Sequence, residues 1–320
     1  MNWPGWVDIM DQLAAEDKPF LFILDFELKS PIILPLDEVA DHGTISFEIR
    51  SVHDSKEPAE HFAIIKSPIL FEEYKSGFDK ALAAIQAGDT YLLNLCYSTG
   101  VDNFPSLREV YTSVRAPYKL LVDGQFVVFS PEQFVSVSDG VIRTFPMKGT
   151  IDASVPDAEQ RLLSDVKEQE EHATVVDLLR NDLSIVADHV RVDRYRYITE
   201  IRTSEKTLLQ CSSEISGQLT SDYIQHPGRV MHALLPAGSV TGAPKKRTVE
   251  LIHEIEPEPR NYFTGVFGVY DSGQLDSAVM IRMIEQRADG FRFRSGGGLT
   301  YRSQAEMEYR EMIDKVYIPV

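Results

Sequence analysis

Four glutamates stand in two pairs whose spacing suits metal binding. Glu168 and Glu171 are three residues apart in one segment of helical periodicity, and Glu308 and Glu311 are three apart in the last helix that the sequence predicts. Because residues at i and i+3 share a helix face, two such helices packed side by side would direct four carboxylates to one point. Oxygen ligands of this kind suit Mg²⁺, and four close glutamates would repel one another without a cation. A solvated acidic helix face is the alternative, and the spacing alone favours it.

A lysine and a glutamate flank a predicted β-hairpin in the middle of the chain. The dipeptide Asp139-Gly140 favours a hairpin turn, so Glu132 and Lys148 are expected to lie near each other at the far end. A strict two-residue loop would pair Lys148 with Pro131, whereas a three-residue loop or a bulge would place Glu132 directly opposite. An amine beside a carboxylic acid can supply a nucleophile and a proton donor, provided that burial or neighbouring cations remove the proton from the amine. A cross-strand salt bridge is the alternative that spacing alone favours.

Two glycine-containing segments offer backbone N–H groups to an anion. Residues 236–247, PAGSVTGAPKKR, run from a loop into a helix, whose start supplies free N–H groups beside three basic side chains. Residues 295–298, SGGG, form a second backbone cradle or a tight turn between strands. Arg282 and Lys315 carry further positive charge, although each alone is typical of a surface or salt-bridge residue. The segment VDLLRNDLS, residues 176–184, is interpreted as structural.

Composition limits the classes of function. The chain has 320 residues, 43% of them hydrophobic, and a net charge of −17, which disfavours binding to nucleic acid. No apolar run approaches the roughly 20 residues of a membrane helix, and the start of the chain lacks the pattern of a signal peptide, so a cytoplasmic protein is expected. The two cysteines, Cys96 and Cys211, are too few for a metal knuckle or a disulfide framework.

The elements that must position these residues predict an α+β fold. Strands come in antiparallel runs rather than in strict βαβ alternation. One long helix is predicted over 157–183, and the glycines at 296–298 are expected to interrupt the strands near the end. Residues 53–60 have the composition of a linker. We expect an N-terminal strand region over 1–66 that packs on a catalytic domain over 67–320.

Six motifs stand in order along the chain: SPEQF, FPMKGT, EEHATVVDLLRND, LLPAGSVTGAPKKR, SGGGLTYRS and AEMEYREMIDK. Together they closely resemble the chorismate-utilising enzymes, a family that includes anthranilate synthase component I, aminodeoxychorismate synthase component I and the isochorismate and salicylate synthases. The resemblance covers about residues 67–317, and the region before it resembles a shortened version of the family's leading strands. It implies a fold of two packed, mostly antiparallel β-sheets flanked by helices.

The resemblance also implies a site for chorismate and Mg²⁺. The metal would be held by Glu168, Glu171, Glu308 and Glu311. This arrangement would let a dianionic substrate bind to an acidic protein, because the metal, backbone N–H groups and a few cations would surround it. The residues implied to bind the substrate are Gly149, Thr150, Thr241, Gly242, Arg282, Gly296, Gly297, Gly298 and Lys315.

Two positions indicate which reaction the resemblance implies. Lys148 in PMKGT is similar to the aminodeoxychorismate synthases, whereas anthranilate and isochorismate synthases resemble PIAGT. Leu92 stands where the isochorismate and salicylate synthases carry a water-activating lysine, which disfavours addition of water. The implied reaction adds Lys148 to ring carbon C2 while Glu132 protonates the departing C4 hydroxyl. Ammonia from a separate glutaminase subunit then attacks C4, giving 4-amino-4-deoxychorismate for para-aminobenzoate and folate biosynthesis.

Two departures from the family pattern keep other activities open. Gln210 stands where the family has a histidine in an HLVS-like segment, and Phe263 stands where the family has a tyrosine. An anthranilate synthase component I is the second hypothesis, which Lys148 disfavours. A non-catalytic homologue that binds chorismate or only a partner is the third, which the presence of Glu132, Lys148 and the four metal glutamates disfavours.

Overall fold

The computed structural model describes residues 3–50, 64–202 and 207–318. In chain order its strands are β1 Phe20–Leu24, β2 Ile32–Pro35, β3 Ile45–Ile49, β4 Ile65–Ser67, β5 Leu92–Asp102, β6 Tyr118–Val122, β7 Phe126–Ser130, β8 Gln133–Ser138, β9 Val141–Thr144, β10 Met147–Asp152, β11 Ala187–Arg202, β12 Thr207–Leu219, β13 Gly242–Ala243, β14 Val266–Asp271, β15 Gln274–Val279, β16 Met283–Arg287 and β17 Gly290–Leu299. Its α-helices are α1 Gly5–Ala15, α2 Leu36–His42, α3 Phe71–Ala87, α4 Leu107–Ser113, α5 Ala158–Ser164, α6 Val166–Leu183, α7 Pro227–Leu234, α8 Lys245–Ile255 and α9 Ala305–Asp314.

The strands form two antiparallel sheets. The first has the order β10-β12-β9-β8-β15-β14-β1-β2, with β11 on the other side of β12. The second has the order β13-β5-β17-β16-β7-β6-β3, with β4 also paired to β5. The predicted α+β class and the two sheets flanked by helices are therefore confirmed.

Apolar side chains pack in three layers. Leu21 and Phe267 of the first sheet meet Leu120 and Met283 of the second in one core cluster, so the sheets lie face to face. On the outer side of the first sheet, α1, α6 and α7 contribute to another cluster. On the outer side of the second sheet, α3, α8 and α9 pack on β5. The helices α6 and α9, which carry the four predicted metal ligands, thus lie outside the two sheets. Helix α6 covers the first sheet, and α9 covers the second.

The N-terminal strands are part of both sheets. Strand β1 pairs with β14 and β2, and β3 pairs with β6. The predicted boundary near residue 66 stays a prediction, and the linker predicted at 53–60 lies outside the described residues. No helix in the described ranges is long and apolar enough to cross a membrane.

Two predicted elements differ in the structure. The helix predicted over 157–183 is broken at Asp165, whose side chain accepts a hydrogen bond of 3.0 Å from the Glu168 backbone N–H and so begins α6. The glycines at 296–298 do not interrupt the sheet. They continue β17 and pair with β5, because strand pairing needs only their backbone groups.

Candidate active site

Lys148 lies on β10 at a bulge. The pairing of β10 with β12 shifts register between Met147 and Thr150, so the intervening Lys148 and Gly149 leave the regular ladder. Gly149 has φ +80°, and a Cβ there would lie 2.9 Å from Glu168 Oε2. The positive φ favours glycine at this position, and the missing side chain leaves room for the Glu168 carboxylate beside β10. The half-buried side chain of Lys148 is next to the helix that carries the first pair of glutamates.

The hairpin brings Glu132 and Lys148 together differently from either predicted register. The turn is the two-residue loop Asp139-Gly140, and the ladder between β8 and β9 ends at Ser136 opposite Arg143. Beyond that point β10 pairs with β12 instead. The two residues are nevertheless electrostatic neighbours, since the positive charge of Lys148 lowers the pKa of Glu132.

Glu132 lies near positive charges, yet its carboxyl group holds its proton more tightly than an ordinary glutamate does. Burial is the largest influence and raises the pKa of Glu132 above its ordinary value. A hydrogen bond of 2.6 Å from Ser239 Oγ to Glu132 Oε1 and the positive charges of Lys148, Arg282 and Lys315 oppose that rise. A carboxyl group of this kind can hold a proton above the pH at which an ordinary glutamate loses it.

The three glycines of β17 line the approach to α9. A Cβ on Gly297 would lie 3.4 Å from Glu308 Oε2, 3.6 Å from Glu311 Oε1 and 3.7 Å from Lys315 Nζ. Lys315 donates to the Gly296 carbonyl at 2.8 Å and forms an ion pair of 2.6 Å with Glu311. At Gly297 the strand therefore carries no side chain where two carboxylates and one cation approach it.

Two of the four predicted metal ligands share a cleft, but the four do not form a closed cluster. Glu171 and Glu308 line the same cleft of about 810 Å³. Glu168 lies against Gly149, and Glu308 and Glu311 lie against Gly297. Among the residues that the structure describes, no three His, Cys, Asp or Glu side chains are gathered tightly enough to hold an ion as they stand. The donors are all carboxylate oxygens, which are the kind of ligand that suits a hard cation such as Mg²⁺.

The loop 236–247 is fixed by its own hydrogen bonds. Thr241 is fully buried, and its hydroxyl donates to the Ala237 carbonyl at 2.7 Å. Gly242 has φ +135°, and a Cβ there would collide with the Leu92 carbonyl, so β13 can pair with β5 only through glycine. Both predicted substrate residues are therefore fixed by local contacts, and the Thr241 hydroxyl is already engaged within the loop.

Thr150 and Arg282 are the remaining predicted substrate residues. Thr150 is exposed on β10, opposite Gln210 of β12. Arg282 donates to the Lys315 carbonyl at 3.0 Å, and its guanidinium group lies 5.0 Å from the centre of the Tyr317 ring. Arg282 therefore connects the start of β16 to the end of α9 and keeps its charge near Glu132.

The discriminating position Leu92 and the two departures from the family pattern, Phe263 and Gln210, have clear positions. Leu92 is buried, and its side chain lies 3.1 Å from where a Cβ on Gly298 would stand. Phe263 is buried in the core between the sheets, and the neighbouring Tyr262 donates to the Ser30 carbonyl at 2.8 Å. Gln210 is half-buried beside β10.

Sequence reasoning missed a histidine behind Lys148. His172 is buried on α6, and its Nε2 lies 2.7 Å from Ser213 Oγ. Burial and the charges of Arg196 and Lys148 lower the pKa of His172 to about 4, so the ring is neutral at pH 7. The sequence could have pointed to His172, because it lies four residues after Glu168 and therefore on the same helix face.

The motif VDLLRNDLS has the structural role that its sequence predicts. Asp182 forms an ion pair of 3.0 Å with Lys245, which also donates to the Leu234 carbonyl at 2.7 Å. The Asp182 carboxylate also accepts a hydrogen bond from the Gly238 backbone. Asp182 thereby anchors both ends of the 236–247 loop to α6.

Comparisons with known proteins agree with this architecture. A family model described as chorismate binding enzyme matches residues 37–319. The chain is 45% identical over 324 residues to an uncharacterized PabA-like protein of Pasteurella multocida, covering 100% of both chains. It is 31% identical over 261 residues to aminodeoxychorismate synthase component 1 of Klebsiella aerogenes, covering 77% of this chain and 56% of that one. A putative isochorismate synthase, DhbC from Bacillus anthracis, has the same fold with a TM-score of 0.72 at 21% identity, covering 97% of this chain and 86% of the other.

Proposed function

We propose, from the premise that this chain belongs to the chorismate-binding enzyme family, that it is the aminating component of an aminodeoxychorismate synthase. It would convert chorismate and ammonia to 4-amino-4-deoxychorismate and water. The family membership makes it an enzyme that uses chorismate. The finer assignment is supported by one observation above all, the half-buried Lys148 beside a glutamate whose pKa is raised.

The two residues would divide the first displacement between them. The neutral amine of Lys148 attacks ring carbon C2, the ring double bond shifts, and the C4–O bond breaks. Glu132 gives its proton to the departing oxygen, which leaves as water, and the resulting carboxylate takes up the proton that the bound nitrogen loses. Splitting one difficult step in two is the usual advantage of a covalent intermediate.

The second displacement would regenerate both residues. Ammonia attacks C4, the double bond returns, and the C2–N bond to Lys148 breaks. Glu132 gives its proton to the leaving amine, and the ammonium formed at C4 returns one proton to the Glu132 carboxylate. Two successive displacements place nitrogen at C4, whereas direct attack by ammonia would place it at C2.

The glutamates and cations would bind the substrate. Glu168, Glu171, Glu308 and Glu311 would hold Mg²⁺, which would orient a substrate carboxylate and neutralise its charge. Arg282, Lys315 and the backbone of Gly296 to Gly298 would contact the other carboxylate. The walls of the substrate site would be formed by Gly149, Thr150 and the loop at Thr241 and Gly242.

Ammonia would come from a separate glutaminase or from solution. Both cysteines of the sequence are buried, and burial raises the pKa of the Cys96 thiol to about 12. A thiol of that kind is a poor nucleophile, so this chain offers no cysteine suited to glutamine hydrolysis.

The test is product analysis on the purified chain with chorismate, Mg²⁺ and an ammonium salt. We expect 4-amino-4-deoxychorismate, and we expect Lys148→Ala to abolish it while the exposed control Lys80→Ala retains it. Anthranilate with pyruvate would identify an anthranilate synthase instead. Unchanged chorismate would indicate a homologue without this activity.

A further inference from the structure

Ser239 makes a short contact with the carboxyl group that the proposed reaction uses as its acid. Its Oγ lies 2.6 Å from Glu132 Oε1, and no sequence pattern marks this pair, which is separated by 107 residues. The backbone of Glu132 is fixed independently, since its carbonyl accepts from Val279 N–H at 3.1 Å and its N–H donates to Ser130 Oγ at 3.1 Å. Ser239 therefore acts on the side chain alone.

The turn that carries Ser239 is rigidly attached to α6. Residues Gly238–Val240 form one turn of 3-10 helix, and Val240 N–H donates to the Ala237 carbonyl at 3.3 Å. Gly238 packs against the Asp182 carboxylate so closely that a Cβ on it would lie 2.5 Å from Oδ2. The hydroxyl is thus presented to Glu132 from a fixed direction.

The charges around Glu132 come from three other elements. Lys148 belongs to β10, Arg282 precedes β16, and Lys315 follows α9. All three lower the pKa of Glu132, and so does the hydrogen bond from Ser239, against the larger effect of burial. Ser239 differs from the cations because a hydroxyl contact acts on one particular oxygen of the carboxyl group.

We propose that Ser239 is a positioning residue for Glu132 that decides which carboxyl oxygen bears the transferable proton. When Oε1 accepts the hydroxyl hydrogen, the acidic proton of Glu132 resides on Oε2 and faces the leaving group. This inference rests on the proposed function, because it requires Glu132 to act as the acid. The hydroxyl also keeps the carboxylate stable enough to be regenerated after proton transfer.

The kinetic test compares Ser239→Ala with Ser239→Thr. A hydrogen bond to a charged group stabilises the carboxylate form, so loss of the hydroxyl should move the alkaline limb of the kcat profile upward by about one pH unit. It should also lower kcat about tenfold at little change in KM for chorismate. Ser239→Thr keeps a hydroxyl and should restore both properties.

A matched control and a direct titration complete the design. Ser138→Ala removes a hydroxyl at the end of β8 that contacts only Asp139 among the described contacts, and it should leave the pH profile unchanged. Carboxyl ¹³C NMR of the full chain, with Glu132 assigned through Glu132→Gln, should show a higher pKa for Glu132 in Ser239→Ala. Identical titration and identical kinetics in Ser239→Ala would overturn the inference. If the unaltered chain makes no product, the proposed function fails, and the titration alone then decides whether Ser239 controls Glu132.

Discussion

Glu308 Oε2 lies 3.4 Å from the point that a Cβ on Gly297 would occupy, so a carboxylate of α9 meets β17 where the strand has no side chain. The backbone at Gly297 does not have the positive φ that excludes other residues, and 3.4 Å is an ordinary van der Waals contact. The absence of a side chain there is therefore a feature of the cleft rather than a requirement of folding.

Gly297→Ala should fold normally and bind substrate poorly. The added methyl group would occupy the space before Glu308 and Glu311, so we expect KM for chorismate to rise roughly tenfold or more, as 1–3 kcal/mol of misfit implies. Thermal melting should change by only a few degrees. Gly5→Ala, where nothing lies within 4 Å, is the control. An unchanged KM would show that the substrate lies elsewhere.

Glu132→Gln should remove the acid from the proposed reaction. General acid catalysis typically contributes about 10²–10⁴-fold, so kcat should fall by that order. Because burial raises the pKa of Glu132, the unaltered enzyme should stay active above the ordinary glutamate range and lose activity as pH rises through that pKa. The variant's residual rate should lack this alkaline limb. A limb that persists in Glu132→Gln would have to come from another group.

Glu308→Gln should weaken binding of Mg²⁺. A ligand at 100 times its dissociation constant stabilises the folded state by about 2.7 kcal/mol, which melting curves detect. We expect Mg²⁺ to raise the melting temperature of the unaltered chain and to have much less effect on Glu308→Gln. Glu306→Gln changes an exposed carboxylate on the same helix and should respond like the unaltered chain. Equal responses of the two variants would argue against Glu308 as a ligand.

His172→Gln should make the protein less sensitive to acid. Because the pKa of His172 is lowered from 6.5 to about 4, the folded state holds the ring neutral while the unfolded chain takes up a proton. Above about pH 6.5 the ring is neutral in both states and does not lower the free energy of unfolding. As the pH falls towards 4, protonation of the unfolded chain lowers that free energy by at most about 3 kcal/mol. Denaturation by urea at pH 7.5 and pH 4.5 should show a smaller difference in the variant. A difference of equal size would indicate that other groups dominate.

Asp182→Asn should destabilise the loop that carries Ser239 and Thr241. Removing one partner of a buried ion pair costs about 3–5 kcal/mol, although Lys245 can gain some solvent here and reduce that cost. The unfolding midpoint should therefore fall, and Asp177→Asn, on an exposed part of α6, should change it little. Unfolding in urea measures both.

The sequence by itself determined the types of residue and their local geometry. The i and i+3 spacing of the glutamates, the turn at Asp139-Gly140 and the ordered motifs are local patterns, and helix periodicity and turn chemistry act over a few residues. The helix break at Asp165 was also local but was missed, because the capping hydrogen bond to Glu168 competes with an otherwise continuous helical pattern.

Only the tertiary structure decided how distant segments meet. The partner of β10 is β12 rather than β8, because pairing depends on which strand edge is free after the whole sheet has formed. For the same reason the glycines at 296–298 form a strand along β5, and Ser239 reaches Glu132 across 107 residues. Local preference cannot encode such contacts, since their energies depend on packing between segments that are remote in the chain.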